Sequence, residues 1–234
     1  MASAQTIDPI AGISSIATRN VLLELGDAYG RQSGQRVTVE SVGGVDAARR
    51  VQAGEAFDFV VLATDAIDKL TSSGRVDADS RINLARSGVA VAVKAGAPRP
   101  DISNESAVRQ AVLAARSIGY STGPSGVYLA RLFERWGIAE AIAPRLVQAP
   151  PGVPVGSLIA RGEVELGFQQ LSELVHLAGI DLIGALPPEI QLITAFTAAV
   201  CTASPRPRRA EALLSFLASR EADAAKHRHG MEPL

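Results

Sequence analysis

The stretch Ala85-Arg86-Ser87-Gly88-Val89-Ala90-Val91-Ala92-Val93-Lys94 decides how this chain is read. Its apolar centre, Val89 to Val93, is bounded by Arg86 and Lys94, far short of the ~20 residues that a membrane helix needs. A short unbroken apolar run rich in valine fits a β-strand covered on both faces, as in a mainly parallel sheet. Immediately beyond it, Lys94-Ala95-Gly96-Ala97-Pro98-Arg99-Pro100-Asp101 breaks the pattern with glycine and proline and reads as a linker.

Outward from that strand, similar apolar runs occupy 37–42, 57–63, 117–120, 166–169 and 190–200, and helical patterns lie between them. Leu22, Leu25, Gly26 and Tyr29 fall at i, i+3, i+4 and i+7, and Leu129, Leu132, Phe133 and Trp136 repeat that spacing. The first helix is expected to start after Ser14-Ser15 and end near Gly34, and the second to start after Pro124-Ser125 and end at Gly137. Further helices are expected at 45–53, 105–115, 155–161 and 208–225. Strands alternating with helices predict an α/β protein. A second linker, Leu186-Pro187-Pro188-Glu189, precedes the last long strand. A chain that leaves a first lobe near residue 88 and returns near 190 forms lobe I from 1–88 plus 190–234 and lobe II from 89–189. One doubly wound sheet would give the same element order.

Composition narrows the function. The 234 residues are 47% hydrophobic, enough for a substantial core, and the formal net charge is -1. That balance disfavours a nucleic-acid binder or a polybasic membrane-surface protein. The single cysteine, Cys201, forms no intramolecular disulfide, and three histidines with it are too few for a closed structural zinc site. Met1-Ala2-Ser3-Ala4-Gln5-Thr6 lacks a basic segment followed by an apolar one, so either the chain is cytoplasmic or an export signal was removed.

Four glycine- or serine-rich turns precede helices: Gly12-Ile13-Ser14-Ser15, Val42-Gly43-Gly44-Val45, Gly123-Pro124-Ser125-Gly126-Val127 and Pro150-Pro151-Gly152-Val153-Pro154. A helix amino terminus offers unpaired N–H groups and partial positive charge, and small residues let an anion approach them. The alternative for each turn is ordinary capping. The spacing of a P-loop and of G-x-G-x-x-G is absent, which disfavours nucleotides, and there is no G-x-S-x-G elbow. His176 reads as a surface or core-edge residue, His227 and His229 as part of a solvated basic helix end, and Cys201 as a small buried hydrophobe. Arg86 at the start of the crossing strand is a candidate carboxylate clamp, with Ser87 beside it. Tyr128 near a helix start and the amides of Gln169 and Gln170 at a strand end are further candidates.

Four segments resemble the molybdate-binding type of periplasmic solute-binding protein: Val51-Gln52-Ala53-Gly54-Glu55-Ala56-Phe57-Asp58-Phe59-Val60-Val61, the crossing strand 85–93, Ser125-Gly126-Val127-Tyr128, and Ala160-Arg161-Gly162-Glu163-Val164-Glu165-Leu166-Gly167. The resemblance implies a two-lobed type II periplasmic-binding-protein fold, with a ligand cleft between lobes joined by two hinge strands. It implies an oxyanion held by hydroxyls and helix-start amides at Ser14 and Ser15, Gly43 and Gly44, Ser125 and Gly126, and Gly152 and Val153. No metal or cofactor is called for. Two departures turn the expectation from molybdate towards an organic di- or tricarboxylate: the second turn has glycines where those proteins are serine-rich, and Gln170 (less well Gln169) stands where they place a tyrosine. The segments around Arg86-Ser87-Gly88 and 169–173 are similar to those of a divergent branch that includes bacterial aconitate isomerase.

The expectation is therefore a monomeric solute-binding protein trapping a small anion, periplasmic if exported, with an ABC transporter's membrane component as implied partner. The alternative is an aconitate isomerase-like enzyme working by a 1,3 proton shift. In that case Tyr128 or Ser14 would be the acid–base group, its pKa lowered by a helix dipole, and Arg86 would steady the developing charge.

Overall fold

The computed structural model describes residues 8–234. The amino-terminal hexapeptide considered above for export lies outside the described residues. The strands are β1 (Ile10–Ser15), β2 (Val37–Val42), β3 (Phe59–Ala63), β4 (Ile82–Lys94), β5 (Ile118–Tyr120), β6 (Leu146–Gln148), β7 (Leu166–Gln170), β8 (Ile180–Ala185), β9 (Ile193–Val200) and β10 (Glu232–Pro233). The helices are α1 (Arg19–Ser33), α2 (Gly44–Gln52), α3 (Thr64–Ser72), α4 (Glu105–Ala114), α5 (Pro124–Arg135), α6 (Ala139–Ile142), α7 (Val155–Arg161), α8 (Leu171–Leu174), α9 (Pro207–Leu217) and α10 (Asp223–Arg228).

The chain forms two compact units, Met1–Ala85 with Ala195–Leu234, and Arg86–Thr194. The boundaries fall inside β4 and β9, so each of these strands carries the chain from one unit to the other. In the first unit the strand order is β2-β1-β3-β9, with β1 parallel to both β2 and β3, and β9 antiparallel to β3. In the second it is β4-β7-β5-β6, with β5 parallel to β6 and β7; β4 runs antiparallel to β7 and to β8.

Alternation along the strands builds a core on each sheet face. From β3, Phe59 and Val61 pack with Val21, Leu22 and Leu25 of α1 and Leu213, Leu214 and Leu217 of α9, while Val60 and Leu62 pack with Ala47, Val51, Ile67 and Leu70 of α2 and α3. From β4, Val89, Val91 and Val93 join Val108, Val112, Leu129 and Phe133, while Ala90 and Ala92 join Val155, Leu158 and Ile159 of α7. Period-two geometry thus buries successive residues on opposite faces, the physical reason the stretch Val89 to Val93 of β4 is apolar without interruption.

Two expectations need correction. The helix expected over 208–225 is broken: α9 ends at Leu217, Ser219 is extended (φ -73°, ψ 159°), and a 3-10 turn at Arg220–Ala222 leads into α10. The break lets Ala222, Ala225 and Met231 enter the same core as Leu213 and Leu217, which a straight helix would carry past. The basic end is solvated only in part: His227 and Arg228 are exposed, but Lys226 and His229 are not. Lys226 is 1% exposed with its ammonium 3.2 Å from Asp223, and His229 Nε2 lies 2.8 Å from Glu24 of α1. Burial agrees with the reading of Cys201, whose thiol is pushed up to about 12, mainly by desolvation. The further additions are α3, α6, α8, β6, β8, β10 and β1, the last of which takes in the stretch 12–15 that was read as a turn.

Phe59 lies across Gly12 of β1, where an added Cβ would come within 2.3 Å of the ring. The sheet's spacing at this point depends on a glycine facing a phenylalanine. Phe59→Ala is expected to cost about 3–5 kcal/mol, and Gly12→Ala to destabilise by overpacking, both read as lowered urea midpoints.

Candidate functional site

In the first unit, register aligns Ser14 with Ser41 and with Val61, so β1, β2 and β3 finish on one edge. The turns that follow them begin α2, α3 and the 3-10 turn Ile16–Thr18 that leads into α1. Open α/β sheets take ligands at this carboxyl edge. Ser14 is fully buried, with Oγ 2.8 Å from Ser41 Oγ and donating to Ser15 O at 3.2 Å when not engaged there. Ser15 occupies an N-cap position without capping, and its Oγ is buried with no hydrogen-bond partner. Gly43 and Gly44 open α2, whose start no side chain caps, and a Cβ placed on Gly44 would lie 3.6 Å from Ser15 Cβ. An unpaired hydroxyl therefore sits next to an uncapped helix start, an arrangement that suits an anion's oxygen.

Two hydroxyl groups here were missed in the sequence. Ser41 brings to the second strand end the hydroxyl that the glycines of the second turn lack. Thr64, first residue of α3, sits 2.9 Å from Thr197 Oγ1 and can donate to Ala195 O at 3.3 Å. The signal for Thr64 was a cap-type residue directly after an apolar strand.

In the second unit β5, β6 and β7 also finish on a common edge. The third turn follows β5. Ser125 is buried, with Oγ 3.1 Å from Ser121 Oγ, which in turn accepts from the Gly123 N–H at 3.3 Å. A Cβ on Gly126 would fall 1.7 Å from Ser121 O, so only glycine permits this approach.

Several expected ligand groups are instead used within the protein. Gln169 Oε1 accepts from the N–H groups of Val155 (2.7 Å) and Gly156 (3.4 Å), capping α7 with a side chain from β7. The Val153 N–H donates to Pro150 O at 3.0 Å, closing the fourth turn around Gly152, whose φ is +81°. Both groups thus have partners within the protein. Gln170 Nε2 donates to Ser87 O (2.9 Å) and Gly88 O (3.3 Å), and its Oε1 accepts from Thr194 Oγ1 (2.7 Å). Its amide therefore joins the second unit's segments of β4 and β9. Ser87 is buried and accepts from the Ser172 N–H at 3.3 Å. Arg86 is exposed on β4.

Tyr128 corrects a further expectation. Its hydroxyl donates to Ile190 O at 2.9 Å, and burial raises its pKa, the reverse of what a base at a helix start needs. A carboxyl group that the sequence did not single out is Glu173 on α8. It is partly buried, hydrogen-bonded by Gln169 Nε2, and pushed up to about 7 because desolvation outweighs that bond. Ser172 beside it has a buried Oγ without a partner. Among the described residues, no group of three or more His, Cys, Asp or Glu is placed to hold a metal ion, and no helix is long and apolar enough to cross a membrane.

Two α/β units joined by crossing strands, each with hydroxyls and helix starts gathered at a strand-end edge, define a two-lobed protein of the periplasmic-binding type. The chain belongs to the bacterial extracellular solute-binding protein family, whose pattern matches residues 11–232. It is similar over 99% of its length, at 38% identity, to a protein from a Pseudomonas species named aconitate isomerase, of which it covers 90%. Among solved structures it resembles the periplasmic molybdate-binding protein of Azotobacter vinelandii (TM-score 0.80, 19% identity, 95% of this chain and 98% of that one). It also resembles a sulfate-binding protein of Mycobacterium tuberculosis (TM-score 0.74, 18% identity, 97% and 88%).

Glu173 imposes a pH dependence on stability. Its folded pKa of about 7 lies above the ordinary 4.5, so between these values the folded state keeps a proton that the unfolded chain has released. Its contribution is therefore fully present below pH 4.5 and is lost as pH rises to 7, with a slope of at most about 1.4 kcal/mol per pH unit. Urea unfolding across this range is expected to show that decline in the native protein and to lose it in Glu173→Gln.

Proposed function

We propose that the chain binds a small organic tricarboxylate of the aconitate kind and interconverts its cis and trans forms by a 1,3 proton shift. The observation that carries this reading is the 38% identity to the protein named aconitate isomerase, sustained over 99% of this chain. Relatives sharing only the fold span ligands as different as molybdate and sulfate, so fold alone selects no substrate. The local chemistry agrees with a carboxylate. Ser14, Ser15 and Ser41 with the α2 start at Gly43 and Gly44 offer neutral donors in the first unit, Ser125 and Gly126 at the α5 start offer them in the second, and the exposed Arg86 is the candidate carboxylate clamp.

The second reading is a carrier that binds the same anion without changing it. It is favoured by membership of the solute-binding family, and it implies an exported chain that delivers its ligand to an ABC transporter.

Thermal melting with single anions tests the ligand class. A ligand at 100 times its Kd adds about 2.7 kcal/mol, so cis- and trans-aconitate are expected to raise the melting temperature by several degrees. Molybdate and sulfate are expected to leave it unchanged. Ser15→Ala, which removes the unpartnered hydroxyl, is expected to weaken aconitate about tenfold. Stabilisation by molybdate or sulfate alone would overturn the proposal.

A further inference from the structure

We propose that Glu173 is the proton carrier of the isomerisation, taking a proton from one end of the substrate's allylic unit and returning it at the other. This rests on the isomerase reading above. The argument is one of placement. Glu173 follows β7 by three residues, on the edge where β5 also ends and where Ser121, Ser125 and Gly126 form the third turn. It is held by a directed chain of bonds. The Val155 and Gly156 N–H groups fix Gln169 Oε1, which orients the opposite side of that amide so that Nε2 donates to Glu173 Oε2. The amino terminus of α7 is thereby spent on aiming a carboxyl group. One carboxylate oxygen is engaged by Gln169, leaving Oε1 for a reacting hydrogen. The neighbouring Ser172 Oγ, buried without a partner, is a donor available to a ligand carboxylate at the same place.

The groups bonded to Glu173, to the amide that holds it and to its neighbour Ser172 are neutral. From β7 there is the Gln169 amide, from α7 the N–H groups behind it, and from β4 the Ser87 hydroxyl that receives the Ser172 N–H. His176, three residues on and exposed, is the titratable side chain on its own segment. Burial and Gln169 account for the carboxyl's displacement towards neutrality, with no ionised neighbour among the causes. A group that loses its proton near the working pH is suited both to accept and to give one.

The step balances without an oxidant. The C–H bond of the aconitate methylene breaks, its proton goes to the Glu173 carboxylate, and its electron pair enters the conjugated allylic and carboxylate system. The double bond then moves one carbon, and the same proton forms a C–H bond at the former vinyl carbon. One C–H bond is lost and one gained. The rotamer about the methylene single bond when the proton leaves sets the geometry of the new double bond, so a cis substrate bound with that bond turned gives trans product.

The test is turnover of cis-aconitate by the native protein, Glu173→Gln and Glu173→Asp, followed by proton NMR, with aconitate-induced thermal shifts as the readout of folding and binding. Native kcat is expected to fall as pH drops below about 7, where the carboxyl is protonated. Glu173→Gln is expected to lose roughly 100-fold or more in kcat while keeping its thermal shift, with Glu173→Asp between the two. Turnover by folded Glu173→Gln close to the native rate would overturn this assignment while leaving the isomerase reading intact. If Glu173→Gln does not fold, the native profile decides, and a kcat independent of pH through this range would overturn it. A native protein that binds aconitate without converting it removes the isomerase reading and this assignment together.

Discussion

A strand buried on both faces has no place for a polar side chain except at its ends. That constraint governs the central strands of both units. In β3 and β4 successive residues enter separate cores, so Phe59 to Leu62 and Val89 to Val93 are given over to packing. Groups able to meet a ligand are displaced to the turns beyond the carboxyl ends, where Ser14, Ser15, Ser41 and Thr64 gather in one unit and Ser121, Ser125 and Glu173 in the other. The polar edge is a consequence of the apolar interior.

At that edge, helix amino termini must be satisfied from somewhere. The protein treats them differently. At α7 it spends the amide of Gln169, which closes that helix start and at the same time holds a carboxyl group. At α2 it supplies no capping side chain, leaves Ser15 Oγ unpaired and keeps glycine at the two first positions. The start of α7 is thus closed by a side chain and that of α2 left without one. The solute-binding family provides the scaffold, and these local choices distinguish one ligand chemistry from another.

Much of the fold was legible because burial imposes periodicity. The apolar run 89–93, the stripes Leu22-Leu25-Tyr29 and Leu129-Leu132-Trp136, and the glycine after α1 each state their local structure in sequence. The break at Ser219 was not legible, because 208–225 is helical in pattern throughout and only the core's need for Ala222 and Met231 bends it. The candidate positions Ser14, Ser15, Gly43, Gly44, Ser125 and Gly126 were chosen because residue type and position before a helix coincide, and the structure places them at strand ends or helix starts. It was not legible at Gln169, Gln170 and Tyr128, whose polar atoms are consumed by partners 13 to 14, 24 and 62 residues away. Glu173 was invisible for a different reason, since its displaced acidity comes from burial, which outweighs the bond from Gln169 four residues away.

The central claim is chemical: a solute-binding scaffold whose strand ends hold a carboxylate and move one of its protons. Proton NMR of cis-aconitate incubated with the protein tests it most directly. The account predicts trans-aconitate resonances growing at the expense of cis until a fixed ratio is reached, with total aconitate conserved. Resonances that stay those of cis-aconitate, under conditions where the protein is shown to have bound it, would contradict the account and leave a carrier.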